Sequence, residues 1–570
     1  MTQIPRQNPT FTGQPRIVVV GGVAGGMSAA ARARRLSEQA SIIVLERGPY
    51  PSFANCGLPY HLGGEITDRS KLIVQTPEKL AAHLNLDVRP LQEVVSIDRA
   101  AKTVTVRQLS DRETYELPYD HLILSPGASP INPPLPGLDR AGVFTLRSIP
   151  DMDRILAWVQ QPGVEKAVVV GGGYIGLEVA EQLRHRGLHV TTAEAAPQIM
   201  APLDPEMAAI LHHEMIRHGI DLRLGDPLQS VEESPQAKVG DVILKSGARL
   251  PADLVVMGLG VRPETQLARD CGLELGPRGG ILVDETLRTS DPHIFALGDA
   301  AEVVDANTGE KALIPLAGPA NRQGRIVADQ IFGRPSVYKS TQGTAILRLF
   351  ELAAAVTGAS AKTLQRLGRP FRAVHLHPGS HAGYFPGAQP ISLKILWEPG
   401  TRRLLGAQAV GADGVDKRID VLATALAAGM TIDQLAQLEL CYAPPFGAAK
   451  DPVNLAGMAA QNIEDGLVES CAPEELESWK AQGATVLDVR EPNETSQGTL
   501  PDAICIPLAQ LRSRFRELDA SRPVVVYCAS GQRSYMACRV LIQNGFRALN
   551  LSGAWKTWNP IHKPLTASRS

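Results

Sequence analysis

Two cysteines stand in settings where a thiol can do chemistry. Cys56 lies in Ser52-Phe53-Ala54-Asn55-Cys56-Gly57-Leu58-Pro59-Tyr60, a predicted loop-to-helix junction. Backbone N–H groups and the positive end of a helix dipole there stabilise a thiolate, lowering its pKa from the free value of about 8.5. The stretch alone also admits a buried structural cysteine, since free cysteines are among the most buried residues. Cys528 follows the predicted strand Val524-Val525-Val526-Tyr527 and opens the loop Cys528-Ala529-Ser530-Gly531-Gln532-Arg533-Ser534, which leads into a helix. A strand, loop and helix with Cys first and Arg near the end is a cradle for a sulfur- or phosphate-borne anion, with loop N–H groups turned inward and Arg533 closing the ring.

The elements that must position these thiols are nucleotide folds. Ile17-Val18-Val19-Val20 reads as a buried strand that meets Gly21-Gly22-Val23-Ala24-Gly25-Gly26 and an Ala-rich helix, Met27 to Leu36. The glycines let backbone approach a pyrophosphate, and the helix N-terminus offers donors. Glu46, ending the strand from Ser41, stands where an acid binds a ribose hydroxyl, although Val23 replaces the middle glycine. On the helix, Ser28, Arg32 and Arg35 fall at i, i+4 and i+7; that shared face is either a solvated basic stripe or a site for a multiply phosphorylated ligand. A β-rich region, Val88 to Leu117, precedes the strand and sharp turn His121 to Ala128. A second nucleotide fold follows: strand Ala167 to Val170, Gly171-Gly172-Gly173-Tyr174-Ile175-Gly176 satisfying G-x-G-x-x-G, helix Leu177 to Arg186, and strand His189 to Ala193 ending at Glu194. Glu194 favours an unphosphorylated ribose, hence NADH over NADPH, while Arg184 and Arg186 leave that preference open.

At 570 residues the chain holds several cores, about three to five domains. A net charge of -2 gives no electrostatic case for a nucleic-acid or membrane partner. The seven cysteines form no C-x-x-C pair, which fits a reducing, cytoplasmic compartment. Residues 1–15 lack the apolar run of a signal peptide and are expected as a flexible arm, and no stretch approaches the length needed to span a bilayer.

The segment Asp291-Pro292-His293-Ile294-Phe295-Ala296-Leu297-Gly298-Asp299-Ala300, preceded by Val255 to Pro263, resembles the pyridine nucleotide-disulfide oxidoreductases, in which the Asp binds the flavin's ribityl chain. The resemblance spans residues from about 16 to 455. It implies FAD in a discontinuous domain, 16–150 and 281–335; NAD(P)H in 151–280; and a homodimer built through an α+β domain, 336–455. Cofactor contacts carried over are Gly21, Gly22, Val23, Ala24, Gly26, Glu46, Arg47, Val94, Gly127 and Asp299 for the flavin, with Gly171, Gly173, Tyr174, Ile175, Gly176, Glu178, Glu194 and Gly260 for the nicotinamide nucleotide.

Within that family His61 occupies the place of the second cysteine of Cys-x4-Cys, so chemistry runs through one sulfur. The stretch around Cys56 resembles the coenzyme A disulfide reductases, whose lone cysteine alternates between thiolate and a mixed disulfide with coenzyme A. Flavoprotein oxidases and peroxidases instead typically carry a histidine where Ala24 stands. His381 to Gly387 and Leu440 to Phe446 resemble the two loops whose tyrosines, here Tyr384 and Tyr442, reach the other subunit's cysteine and can protonate a departing thiolate. Coenzyme A contacts implied by the motifs are Ser28, Arg32, Arg35, Ser52, Asn55, Lys79 and Lys450.

Residues 456–470 read as a linker, and 471–570 as a further domain. Its Cys528 loop is one residue shorter than the Cys-x5-Arg of protein phosphatases. With Asp488-Val489-Arg490 upstream and Leu551-Ser552-Gly553-Ala554-Trp555 downstream, it resembles the rhodanese sulfurtransferases, whose cysteine carries a persulfide. Cys271, Cys441, Cys471, Cys505 and Cys538 read as structural. The expected fold is therefore α/β: two Rossmann-like nucleotide-binding domains, an α+β dimerisation domain and a C-terminal α/β rhodanese domain. The expected function is NAD(P)H-dependent, FAD-mediated reduction of coenzyme A persulfide, polysulfide or coenzyme A disulfide. An NADH oxidase or peroxidase using a cysteine sulfenate, a sulfurtransferase with a regulatory flavoprotein half, and a redox sensor are the alternatives.

Overall fold

The β-branched run Arg16–Val20 forms the middle of a five-stranded parallel sheet, ordered Ile294–Ala296, His121–Leu124, Arg16–Val20, Ser41–Glu46 and Asp87–Pro90. Ile17, Val18 and Val19 are buried in its core. Strands apolar on both faces need a cover, and Ala24–Leu36 supplies part of it with a near-continuous row of small residues. Helix Ala317–Ile331 packs on it so closely that a Cβ at Gly324 would lie 2.4 Å from the Gly25 carbonyl oxygen. The computed structural model describes residues 14–565, so nearly all of the expected N-terminal arm lies outside the described residues.

Two compact units make up the chain, one with residues up to 171, 182–189 and 228–343, the other with 172–181, 190–227 and 344 onward. Besides the sheet above, the first unit contains the three-stranded antiparallel sheet Gln92–Asp98, Thr103–Gln108 and Thr114–Pro118. In the same unit Lys166–Val170 pairs in parallel with Leu254–Met257, which pairs with Val143–Thr145.

In the second unit residues 191–194 pair in parallel with Asp221–Leu224. A five-stranded antiparallel sheet follows, ordered Ala345–Leu349, Leu352–Gly358, Leu404–Gly411, Ile391–Trp397 and Arg372–Leu376. The C-terminal sheet is parallel, ordered Glu469–Cys471, Ala548–Leu551, Val524–Tyr527, Thr485–Asp488 and Ile504–Cys505. Strand Val524–Tyr527, at its centre, delivers Cys528 to the C-terminal edge of the sheet.

Residues 456–464, expected in a linker, are helical instead. Helix Pro452–Glu464 is capped by Asp451, whose side chain accepts from the Val453 amide, and buries Val453, Ala456 and Ala460 in the antiparallel sheet's core. Its small residues are packing contacts, which composition alone did not separate from a flexible junction.

Candidate functional site

Cys56 sits in a short 3-10 turn, Asn55–Gly57, just ahead of helix Leu58–Gly63, the predicted junction. It is exposed and in no disulfide. Its backbone N–H donates to Asn55 Oδ1 at 3.0 Å, and its Sγ lies 3.6 Å from the same oxygen. The loop hangs from the first glycine turn: the Ser52 amide donates to the Gly22 carbonyl at 2.7 Å, with Ser52 itself in the left-handed region at φ 50°. The Ala54 amide donates to Leu72 O at 2.8 Å and fixes the loop's outer side.

That glycine turn fits a dinucleotide. Gly21 has φ +99°, and a Cβ there would lie 2.0 Å from Ser125 O; at Gly26 a Cβ would lie 1.9 Å from Gly21 O. The Glu46 carboxylate accepts from the Gly22 and Gly48 amides at 2.8 and 2.6 Å, so it stands beside the turn with lone pairs remaining. Asp299, in the turn Gly298–Ala300, has its pKa raised by burial, against the pull of Arg147 3.6 Å away. Gly127, at φ +76°, lies against the same Arg147. An acceptor beside a sharp turn suits a polyol chain, as expected of FAD. Val94 is buried, and Arg47 is an exposed guanidinium at 3.8–3.9 Å from Glu264 and Glu93.

The second glycine turn repeats the arrangement. In the first unit a Cβ at Gly171 would meet Gly258 O at 2.3 Å, and Gly260 takes φ +90°. In the second unit Glu194 accepts from the Gly172 and Ala196 amides at 2.6 and 2.8 Å. Tyr174, opening the helix there, has its phenol pushed up to about 12 by burial.

The predicted coenzyme A contacts divide by environment. Arg35 and Lys79 are exposed in the first unit and Lys450 in the second, while Ser52 and Asn55 are half-buried beside Cys56. Arg32 is committed to Asp329, to which its Nε and Nη2 donate at 2.9 and 2.7 Å, and Ser28 hydrogen-bonds Asn321. Those partners lie 297 and 293 residues away in sequence, so helix periodicity gave no sign of them.

Tyr384 and Tyr442, 58 residues apart, meet with their hydroxyls 2.7 Å from one another. They are 75% and 47% exposed, and Phe446, four residues after Tyr442 in the same loop, is 69% exposed. The shared hydrogen bond holds the Tyr384 phenol above its ordinary pKa. Two residues unmarked by any motif, Arg418 and Asp451, help tie the tyrosine loops together. The buried Arg418 donates through Nη2 to Ser380 O at 2.7 Å and Asp451 Oδ2 at 2.9 Å, while the Ala382 amide donates to Gly447 O.

Cys528 is fully buried, its Sγ accepting from the Gly531 amide at 3.2 Å and lying 3.4 Å from Ser534 Oγ. Arg533, expected to close the ring, donates both terminal nitrogens to Glu494 at 2.6 Å. That bidentate contact holds the Glu494 carboxyl down at about 2. An acid just past Asp488-Val489-Arg490 was the available signal for this partner. Asp488 and Arg490 form a buried pair at 2.7 Å, with the guanidinium 4.6 Å from the Trp555 ring. Of the remaining cysteines, Cys471 and Cys538 are buried with pKa values raised by burial, Cys271 is half-buried, and Cys441 and Cys505 are exposed.

A family model of the pyridine nucleotide-disulphide oxidoreductases matches residues 15–324, that family's dimerisation domain matches 344–452, and a rhodanese-like domain matches 472–560. The chain belongs to this family and is a flavin oxidoreductase carrying a C-terminal rhodanese domain, as its sequence led us to expect. Among its relatives, coenzyme A disulfide reductase of Staphylococcus aureus strain JH9 is 36% identical over 448 residues, 78% of this chain and 100% of the relative. The crystal structure of reduced Bacillus anthracis CoADR-RHD superposes with a TM-score of 0.94 at 48% identity, covering 96% of this chain and 98% of that one. An NAD-dependent persulfide reductase from A. fulgidus gives 0.90 at 37% identity, covering 95% and 100%. Family membership implies FAD and NAD(H). Among the described residues no helix is long and apolar enough to cross a membrane.

Proposed function

We propose that this protein uses NADH to reduce coenzyme A persulfide, polysulfide or coenzyme A disulfide at Cys56, with Cys528 handling sulfane sulfur. The observation that carries the reading is an exposed cysteine hung from the flavin cradle by the Ser52–Gly22 hydrogen bond, in a chain whose second cysteine loop is a rhodanese loop. FAD bound in the first cradle supplies the route by which two electrons from NADH reach sulfur.

The Cys56 thiolate attacks one sulfur of the substrate's S–S bond, a mixed disulfide forms, and the other sulfur leaves as a thiolate or as hydrosulfide. Tyr384 and Tyr442 of the partner subunit give that leaving group its proton in a homodimer. Their mutual hydrogen bond and wide exposure support this, because an exposed phenol pair, with the exposed Phe446 in the loop of Tyr442, is a surface awaiting a partner. Two electrons and a proton then cleave the new S–S bond, releasing the retained half of the substrate as coenzyme A thiol, or as hydrosulfide where polysulfide was attacked, and restoring the Cys56 thiolate. Coenzyme A would be met by the contacts its family's motifs imply: the exposed cations Arg35, Lys79 and Lys450 for its phosphates, with Ser52, Asn55, Ser28 and Arg32 as further contacts. Ala24, where oxidases typically carry histidine, favours this reading over oxygen or peroxide reduction.

The test is NADH oxidation with sulfide detection on the parent, Cys56→Ser and Cys528→Ser proteins. Cys56→Ser abolishes reduction of every acceptor, and Cys528→Ser spares coenzyme A disulfide while impairing sulfane sulfur substrates. Equal loss of coenzyme A disulfide reduction in both variants contradicts the division of labour. Steady turnover without coenzyme A, consuming oxygen, favours an oxidase.

A further inference from the structure

The chain segment after strand Ala548–Leu551 touches the Cys528 loop on one side and the dimerisation domain on the other. On the loop side, the Trp555 amide donates to Cys528 O at 3.1 Å and the Lys556 amide to Ala529 O at 3.0 Å. On the other side, His375 and His377 reach it from strand Arg372–Leu376 and the residue beyond. The His375 backbone N–H donates to Ser552 Oγ at 3.0 Å, and His375 Nδ1 lies 2.8 Å from the same oxygen. His377 Nε2 lies 2.8 Å from Thr557 Oγ1, and its Nδ1 lies 3.0 Å from Ser392 Oγ.

One proton arrangement satisfies the first strut completely. Ser552 accepts from the His375 amide and donates its hydroxyl to Nδ1, which leaves Nε2–H to donate to Glu206 Oε1 at 2.9 Å. Glu206 is anchored in turn by the buried Lys394. Gly553 records how close the approach is: a Cβ there would lie 1.9 Å from Thr557 Oγ1 and 2.8 Å from His375 Cβ. A cavity of about 240 Å³ lies between Leu376 of the dimerisation domain, Leu455 and Ala459 of helix Pro452–Glu464, and Ser530, Gly531 and Gln532 of the loop. The loop's outer face is therefore not packed solidly against the dimerisation domain, and the two histidine struts fix the segment that holds the backbone of Cys528.

We infer that His375 and His377 of the dimerisation domain are positioning residues for the Cys528 loop, so that sulfur transfer at Cys528 depends on the reductase half for its geometry. The inference rests on the reading that Cys528 carries sulfane sulfur as a persulfide. In that step the Cys528 thiolate attacks the outer sulfur of thiosulfate, its S–S bond breaks, sulfite leaves with the bonding pair, and cyanide then takes the sulfur as thiocyanate.

The test uses the full-length holoprotein with Thr557→Val, Thr557→Ser, His377→Leu and His377→Gln. Thiosulfate-to-cyanide transfer, NADH-linked coenzyme A disulfide reduction, and the pH profile of Cys528 alkylation by peptide mass spectrometry are measured on each. Thr557→Val and His377→Leu should lower the kcat of transfer about 10- to 100-fold, the range for misplacing a reacting group by roughly 1 Å. The Thr557→Ser and His377→Gln proteins should recover most of it, with coenzyme A disulfide reduction unchanged throughout. Transfer within twofold of the parent in both Thr557→Val and His377→Leu overturns the inference. If the parent and Cys528→Ser transfer sulfur equally, the sulfur-carrier reading has failed. The alkylation profile then decides: a shifted Cys528 profile in Thr557→Val and His377→Leu, restored in their conservative counterparts, upholds the positioning role, and unshifted profiles overturn it.

Discussion

Replacing Arg418 by Met removes the buried cation that joins the two tyrosine loops. Arg418 and Asp451 are 2% and 4% exposed and 2.9 Å apart, so neither is relieved by solvent. Without the guanidinium, Asp451 Oδ2 and Ser380 O both lose the donor that reaches them, while Asp451 Oδ1 keeps the Val453 amide. Removing one member of such a pair costs about 3–5 kcal/mol, mostly as an uncompensated buried charge. The loss should appear as local opening, because Ser380 and Asp451 lie at the bases of the loops bearing Tyr384 and Tyr442. At about 1.36 kcal/mol per tenfold, amide exchange across 380–390 and 441–451 accelerates by roughly 10²- to 10⁴-fold. The double variant Arg418→Met, Asp451→Asn removes the stranded charge and keeps a cap for helix Pro452–Glu464, so it should recover a large part of the protection. Hydrogen exchange read by mass spectrometry on the holoprotein is the assay. Acceleration under tenfold in the single variant, or no recovery in the double, refutes the reasoning.

Other perturbations test other parts of the molecule. Gly26→Ala places a Cβ 1.9 Å from the Gly21 carbonyl, so the variant should purify with little flavin, read from visible absorbance. Full flavin content would show that the turn yields. His377 is held neutral by burial, by nearby Lys556 and by His375, with its pKa down at about 3. Between that value and the ordinary histidine pKa of about 6.5, the unfolded chain binds a proton that the folded one does not, so stability is intact above that window and falls with acid by about 1.4 kcal/mol per pH unit. Thermal unfolding from pH 7 to 4 should therefore fall more steeply for the parent than for His377→Gln, and parallel curves would refute the assignment.

Much of this protein was legible in local sequence because a glycine turn and a cysteine loop are built largely from neighbouring residues. Gly21, Gly26, Gly171 and Gly172 each sit where backbone or a side chain leaves too little room for a Cβ, so a glycine-rich spacing between a strand and a helix announces the cradle. Two hydrogen-bonding groups beside the Cys528 sulfur, the Gly531 amide and the Ser534 hydroxyl, come from its own loop and the start of the helix that follows. Helix Pro452–Glu464 was missed because small residues suit a linker and a tightly packed helix equally well, and the packing partner lies elsewhere in the chain.

What the sequence by itself determined is the family, and with it FAD and NAD(H), since glycine turns and cysteine loops depend on residue type and near-neighbour spacing; the same spacing nominated Cys56 and Cys528. Only tertiary structure decided what holds them: Arg32 against Asp329, Tyr384 against Tyr442, and His375 against Ser552, 177 residues apart. Hydrogen bonds and ion pairs act over a few ångströms of space whatever the length of intervening chain, so such pairings leave no periodic trace in the sequence.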